Sequence, residues 1–89
     1  MDARRKRLLF RCRHRGLQEN DILLGRFAER HLAAMDEADL ASLEALLEAP
    51  DNDLLDWLIG RVPPPPEFRS PLLARLIDEA RAGTIAGRA

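Results

Sequence analysis

Two charged residues four positions apart, Arg15 and Glu19, enclose a glycine in the stretch HRGLQEND. If one helical turn carried both, their Cβ atoms would stand about 5–6 Å apart, and an exposed pair of that kind contributes only a few tenths of a kcal/mol. Stability is therefore a poor reason for the pattern. Gly16 between them fits a break between two helices, where a positive φ or a close backbone approach excludes a Cβ. A guanidinium, an open backbone and a carboxylate together make a compact polar patch suited to another surface. The same residues admit a plainer reading, a helix-joining glycine with incidental charges, and on their own they leave the two level.

Other reactive side chains are few. The histidines are His14 and His31, the cysteine is Cys12, and the hydroxyls are Ser42, Ser70 and Thr84. His31 falls on an apolar helical stripe and reads as a hydrogen-bonded structural histidine. His14 borders the charged cluster and reads either as part of it or as a plain solvent-exposed residue. Cys12 reads as a small semi-buried residue rather than a nucleophile. No paired His or Cys provides metal-ligand spacing, and the acids do not follow a calcium-loop pattern. The glycines form neither a dinucleotide fingerprint nor a phosphate-binding loop. Enzyme chemistry has no framework here.

The elements that must position these residues are helical. Leu, Ala, Arg and Glu dominate, and no alternating run suggests a strand. The first helix is expected over residues 2–14, with Leu8, Leu9, Phe10 and Cys12 as its apolar residues. The second is expected over 18–35, where Leu23, Leu24, Phe27, Ala28 and His31 repeat at three- and four-residue steps. Gly25 inside it costs about 1 kcal/mol relative to Ala unless a neighbouring backbone must approach there. Asp36 caps a third helix whose core face is Leu40, Leu43, Leu46 and Leu47. Pro50 ends it, and Asp51 or Asn52 is expected to cap a fourth carrying Leu54, Leu55, Trp57, Leu58 and Ile59, with Trp57 in the core. Pro63–Pro66 should be a stiff extended spacer. Ser70 and Pro71 start a fifth helix over 71–82 that buries Leu72, Leu73, Leu76 and Ile77. The expectation is an all-α, five-helix bundle in a single domain over residues 1–82, followed by a flexible tail over 83–89.

Eighty-nine residues at 46% hydrophobic and 33% charged suit one modest globular core. No apolar run reaches the ~20 residues that cross a bilayer, and Leu8–Phe10 is far short of a signal peptide's ~7–15. One cysteine excludes an internal disulfide and makes a reducing compartment the natural setting. The net charge of −1 hides a gradient. Seven of the fourteen basic residues lie in 4–15, and eight of the fifteen acids lie in 36–56, which holds no Lys or Arg. One end of the molecule should be electropositive and another electronegative. The segment RRKRLLFRCRHR could dock on phosphates, but the balanced charge and acidic stretch weigh against a nucleic-acid binder. The acids of 36–56 are explained mainly by favourable placement at helix N-termini.

The segment RGLQENDILLGRFAE resembles the succinate dehydrogenase assembly factor family, the flavinylation factors, with its Arg-Gly-x-x-Glu motif at Arg15, Gly16 and Glu19 and a following acid at Asp21. The stretch DNDLLDWLIG is similar to the family's second segment at Asp51, Asp53, Leu54, Trp57 and Leu58. The resemblance covers about residues 4–80. One departure is Asn20, where an apolar residue such as Leu is expected; if that position packs on a partner, the contact is altered. The longer proline run carries no assigned function.

The resemblance implies a helper that binds the flavoprotein subunit of succinate dehydrogenase, and often of fumarate reductase, and promotes covalent attachment of FAD to it. The helper binds no cofactor itself and is not an enzyme; the partner's own site performs the chemistry. Arg15, Gly16, Leu17, Glu19 and Asp21 would form the partner-binding site, extended by Arg7, Arg11 and His14. Arg15 and Glu19 would make charge-assisted hydrogen bonds to the partner, and Gly16 would let the surfaces close. Gly16→Arg or Glu19→Ala is expected to abolish binding and leave melting nearly unaltered. A monomer without membrane insertion or nucleic-acid binding is implied, in the bacterial cytoplasm rather than the mitochondrial matrix. A helical adaptor for a non-flavin partner is the alternative, and a basic-helix nucleic-acid binder the third reading.

Overall fold

Short polar side chains begin three of the helices. In the computed structural model, which describes residues 1–83, Asp2 Oδ1 accepts the Arg5 amide at 2.8 Å and starts α1 (Ala3–Arg13). Helix α2 (Gln18–His31) follows a four-residue break, with Glu19 and Asp21 favourably placed in its first turn. Asp36 Oδ1 accepts the Asp39 amide at 2.8 Å ahead of α3 (Glu37–Leu46). Helix α4 (Asp51–Leu58) comes next, and Ser70 Oγ caps α5 (Pro71–Ala82), whose Pro71 sits in the first turn where its missing N–H costs nothing. Gly83 closes α5 in the left-handed region at φ +76°. The all-α, five-helix architecture expected from the sequence is what the described residues form.

Helix α2 lies at the centre. Its Leu24, Phe27 and Ala28 meet Leu8 and Cys12 of α1, and the core continues through Leu40, Leu43 and Leu46 of α3, Leu54, Trp57 and Leu58 of α4, and Leu72, Leu73 and Leu76 of α5. Trp57 is buried as expected and packs on Phe68, ring centroids 5.1 Å apart. Gly25 is buried where α1 crosses α2: a Cβ there would stand 3.2 Å from Arg13 Cγ and 3.9 Å from Arg13 Cα. The tight neighbour is the Arg13 side chain, and the α1 backbone lies at ordinary contact distance. His31 is the tied structural histidine anticipated, its Nε2–H donating to Glu79 Oε2 at 2.7 Å and joining α2 to α5.

Several local expectations give way. Phe10 is 60% exposed, because it lies on the outer face of α1, opposite the side where Leu8 and Cys12 enter the core. The α-helix of the second segment ends at His31, and Leu32–Ala34 tighten into a 3-10 turn. Its last carbonyls are taken by Arg5, which donates from Nε to Leu32 O at 3.0 Å and from Nη2 to Met35 O. Neither Asp51 nor Asn52 caps α4; Pro50 holds that place without a side-chain bond, since the Asp51 carboxylate is drawn elsewhere. Ile59 is exposed beyond the end of α4. The extended proline run stops at Pro65, and Pro66 opens a 3-10 turn through Phe68. The tail expected from Gly83 lies outside the described residues beyond Gly83 itself.

The expected charge separation is replaced by interlocking. Arg4 donates from Nε and Nη2 to the two oxygens of Glu44 at 3.0 and 2.7 Å, and from Nη1 to Glu37 at 2.7 Å. Arg11 donates to Glu48 at 2.8 Å. Two arginines of α1 thus reach acids of α3 and just beyond it, and the two poles neutralise each other in part. Pairs this exposed are individually weak, but a bidentate arginine in a network fixes relative orientation well.

Candidate functional site

The chain between Arg13 and Gln18 runs without helical support, and one arginine anchors it. Arg15 Nε donates to Asp51 Oδ1 at 2.9 Å, Nη2 to the Ala49 carbonyl at 2.7 Å, and Nη1 to the Leu47 carbonyl. Its side chain is only 11% exposed. Leu47 and Ala49 follow the end of α3, where carbonyls lack helical partners, so the guanidinium binds that helix end and the first residue of α4 together. The Arg15 amide donates to Asp21 Oδ1, closing the break onto the first turn of α2.

This geometry decides two points that the sequence left conditional. Arg15 and Glu19 do not share a helical turn: Arg15 precedes α2 and points inward, whereas Glu19 lies in the first turn of α2 and is exposed. Asn20 does not face a partner. It is fully buried, and its Nδ2 donates to the Asp51 carbonyl at 2.9 Å and to Asp51 Oδ1 at 3.2 Å. An amide stands where an apolar residue was expected because its Nδ2 answers the half-buried Asp51, although its own Oδ1 has no partner among the described residues.

Gly16 occupies the crest of the break at φ +102°, exposed, with no heavy atom within 4 Å of the position a Cβ would take. The positive φ demands glycine on its own account. A substitution there is strained whatever its effect on a partner, so Gly16→Arg does not leave stability untouched as expected. Leu17 is half-buried in the extended region and leads into α2.

The three residues expected to extend the site leave α1 in different states. Arg7 is exposed and has no ion pair among the described residues. Arg11 is tied to Glu48. His14 ends α1; its Nδ1–H donates to the Phe10 carbonyl at 2.8 Å and its ring stacks on Phe10 with centroids 4.0 Å apart and planes 19° off parallel. Arg7, Phe10 and His14 are spaced three and four apart, so one outward face carries a cation and a stacked aromatic pair down to the Gly16 crest. Structure therefore sorts the eight candidates. Arg7, His14, Gly16 and Glu19 are open to solvent; Arg15, Leu17 and Asp21 support them; Arg11 joins the α1–α3 seam. The sequence reading left out of the site Phe10, named only among the apolar residues of the first helix, and Asp51, named as a cap and within the second resembling segment. The alternation of Leu8 and Cys12 against Phe10 held the signal for the first. For Asp51 no local signal exists, since its partners are 36 and 31 residues away.

The groups that could do covalent chemistry are held back. Cys12 is buried beneath α1, and desolvation pushes its thiol up to about 12, which suppresses the thiolate. A groove of about 230 Å³ lined by Pro64, Ser70, Leu73 and Ile77 falls below the ~300–1,000 Å³ of sites for drug-sized ligands. Among the described residues no cluster of His, Cys, Asp and Glu is arranged to hold a metal, and no helix is long and apolar enough to cross a membrane.

A family profile described as flavinator of succinate dehydrogenase matches residues 6–80. The chain is 47% identical over 79 residues to the FAD assembly factor SdhE of Acetobacter pasteurianus, covering 89% of this chain and 72% of that protein. To the FAD assembly factor SdhE of Ralstonia nicotianae it is 40% identical over 79 residues, covering 89% and 82%. To the mitochondrial succinate dehydrogenase assembly factor 2 of Dictyostelium discoideum it is 38% identical over 69 residues, covering 78% of this chain and 49% of that protein, so the match spans about half of the longer relative. No solved structure gives a significant match.

Proposed function

The chain belongs to the family of succinate dehydrogenase flavinators, and we propose that it is an assembly factor that binds the flavoprotein subunit of succinate dehydrogenase and promotes covalent attachment of FAD to it. The observation that carries the docking site is the Gly16 crest: backbone open to solvent, no Cβ, and the exposed Glu19 three residues on. A partner surface meeting that crest reaches main-chain groups that a side chain would otherwise keep at a distance. Glu19 offers an acceptor for charge-assisted bonds, which strengthen as docking excludes water. Phe10 and His14 add a flat apolar surface, and Arg7 a charge that speeds encounter with an acidic partner.

In this reading the protein contributes no reacting group and holds no FAD of its own; it stabilises a conformation of the flavoprotein in which that subunit's own residues form the bond. The reading extends to the flavoprotein of fumarate reductase, and has the protein acting as a monomer in the bacterial cytoplasm without entering a membrane. The test is co-expression of a succinate dehydrogenase flavoprotein subunit with and without this protein, scored by flavin fluorescence of the denatured subunit on a gel. Covalent flavin should rise with the wild-type protein and not with Glu19→Ala. No rise, with no complex on a sizing column, would remove the flavinylation function and leave a helical adaptor for another partner.

A further inference from the structure

We infer that Asp51 and Arg15 are positioning residues of the docking surface rather than contacts within it, a conclusion that rests on the docking reading above. The exposed segment from Gly16 to Glu19 is bracketed by Arg15 and Asn20, and both brackets close on the same residue. Arg15 Nε reaches Asp51 Oδ1 at 2.9 Å, and Asn20 Nδ2 reaches the same oxygen at 3.2 Å and the Asp51 carbonyl at 2.9 Å. The first residue of α4 therefore holds both ends of a segment whose crest, Gly16, is exposed and has open space where a Cβ would stand.

The alternative assignment, Arg15 reaching out to the partner, conflicts with its geometry. Three guanidinium nitrogens already donate to protein oxygens, and the side chain is 11% exposed. Turning it outward would leave the Asp51 carboxylate, itself 29% exposed, without its cation and two carbonyls after α3 without donors. An arginine suits this place because its planar fork sets three separate nitrogens against three acceptors, whereas a lysine would bring its donors on a single nitrogen. The network spans the α1–α2 break, the α3–α4 junction and the first turn of α2, so a change at Asp51 travels to Gly16 and Glu19 through two independent tethers.

The test uses the full chain carrying Asp51→Asn or Asp51→Ala, each alone and combined with Glu19→Ala. Affinity for the purified succinate dehydrogenase flavoprotein subunit is titrated at 25 °C, and amide relaxation reports on the turn. In Asp51→Ala the order parameters of Gly16 and Leu17 should fall from about 0.85 to below about 0.6, with helicity kept and affinity at least tenfold weaker. Adding Asp51→Ala to Glu19→Ala should cost less than Asp51→Ala does in the wild-type protein, because the part of its effect that runs through Glu19 is already lost. Asp51→Asn, which keeps the acceptor oxygen, should recover most of the order and affinity, and it supplies the reading if Asp51→Ala fails to fold. Losses that multiply in the double variant would make Asp51 a contact in its own right and overturn the inference. Unchanged order parameters would overturn it as well. If the wild-type protein does not bind the flavoprotein, or Glu19→Ala binds as well as wild type, the docking reading fails, and the order parameters still decide whether Asp51 holds the turn.

Discussion

Replacing Gly16 changes two things at once, and a pair of variants separates them. The backbone there sits at φ +102°, so any side chain incurs strain of about 1–3 kcal/mol. For a domain of this size that lowers Tm by roughly 4–24 °C, at about 4–8 °C per kcal/mol. Gly16→Ala and Gly16→Arg carry the same backbone strain, and nothing lies within 4 Å of the Cβ position. They should therefore melt within about 4 °C of each other, since an exposed side chain without contacts changes stability by less than about 0.5 kcal/mol. At about 0.05–0.15 kcal/mol per residue the chain is stable by roughly 4–13 kcal/mol, so even the largest strain leaves about nine-tenths of the molecules folded at 25 °C. Unfolding then weakens apparent affinity by little more than a tenth. Bulk at the crest is a different matter: Gly16→Arg should bind the flavoprotein at least tenfold more weakly than Gly16→Ala. Isothermal titration at 25 °C, beside thermal melts of both variants, measures this. Equal affinity of the two would show that nothing approaches the crest, and the docking surface would have to be sought elsewhere.

Two further outcomes concern the scaffold. Gly25→Ala meets the movable Arg13 Cγ at 3.2 Å and only ordinary contact with the α1 backbone; the helix-propensity gain of about 0.8–1 kcal/mol should prevail and raise Tm by a few degrees, whereas Gly25→Leu should lower it by forcing α1 and α2 apart, and a lower Tm for Gly25→Ala would mean that the α1 backbone sets the limit. Glu37 and Glu44 are held below the usual glutamate range by hydrogen bonds from Arg4. Their contribution is present above about pH 4.3, the unfolded value, and is lost as pH falls through the depressed folded values; Tm measured from pH 7 to pH 3 should decline less steeply in Arg4→Gln, and parallel curves would contradict the seam's role.

Periodicity made the helices legible because it reports burial directly: Leu24, Phe27 and Ala28 recur at the helical period, and all three are buried. Capping was legible at Asp36 and Ser70, where the side chain bonds within three residues. It failed at Asp51, because a carboxylate at a helix start has a second use, and a guanidinium 36 residues away took it. The site divides the same way. Gly16 could be found, since a glycine between two helical patterns implies a backbone only glycine adopts. The inward turn of Arg15 could not, since long cationic side chains choose partners after the fold has brought distant acceptors together. The motif residues stand where the sequence put them, but they divide into a displayed part and a supporting part that only three-dimensional structure distinguishes.

The seam between α1 and α3 has a consequence in the order of synthesis. Arg4 finds Glu37 and Glu44 at separations of 33 and 40 residues, and Arg11 finds Glu48 at 37. At about 5–20 residues per second, the ribosome adds those acids roughly 2–8 s after the arginines they neutralise. Until those acids join it, the growing chain lacks the carboxylates that hold Arg4 and Arg11 in the finished fold. Folding here assembles a core and also closes a basic segment onto acids made later in the chain, so the charge balance of the first helix is completed only by residues that follow the second.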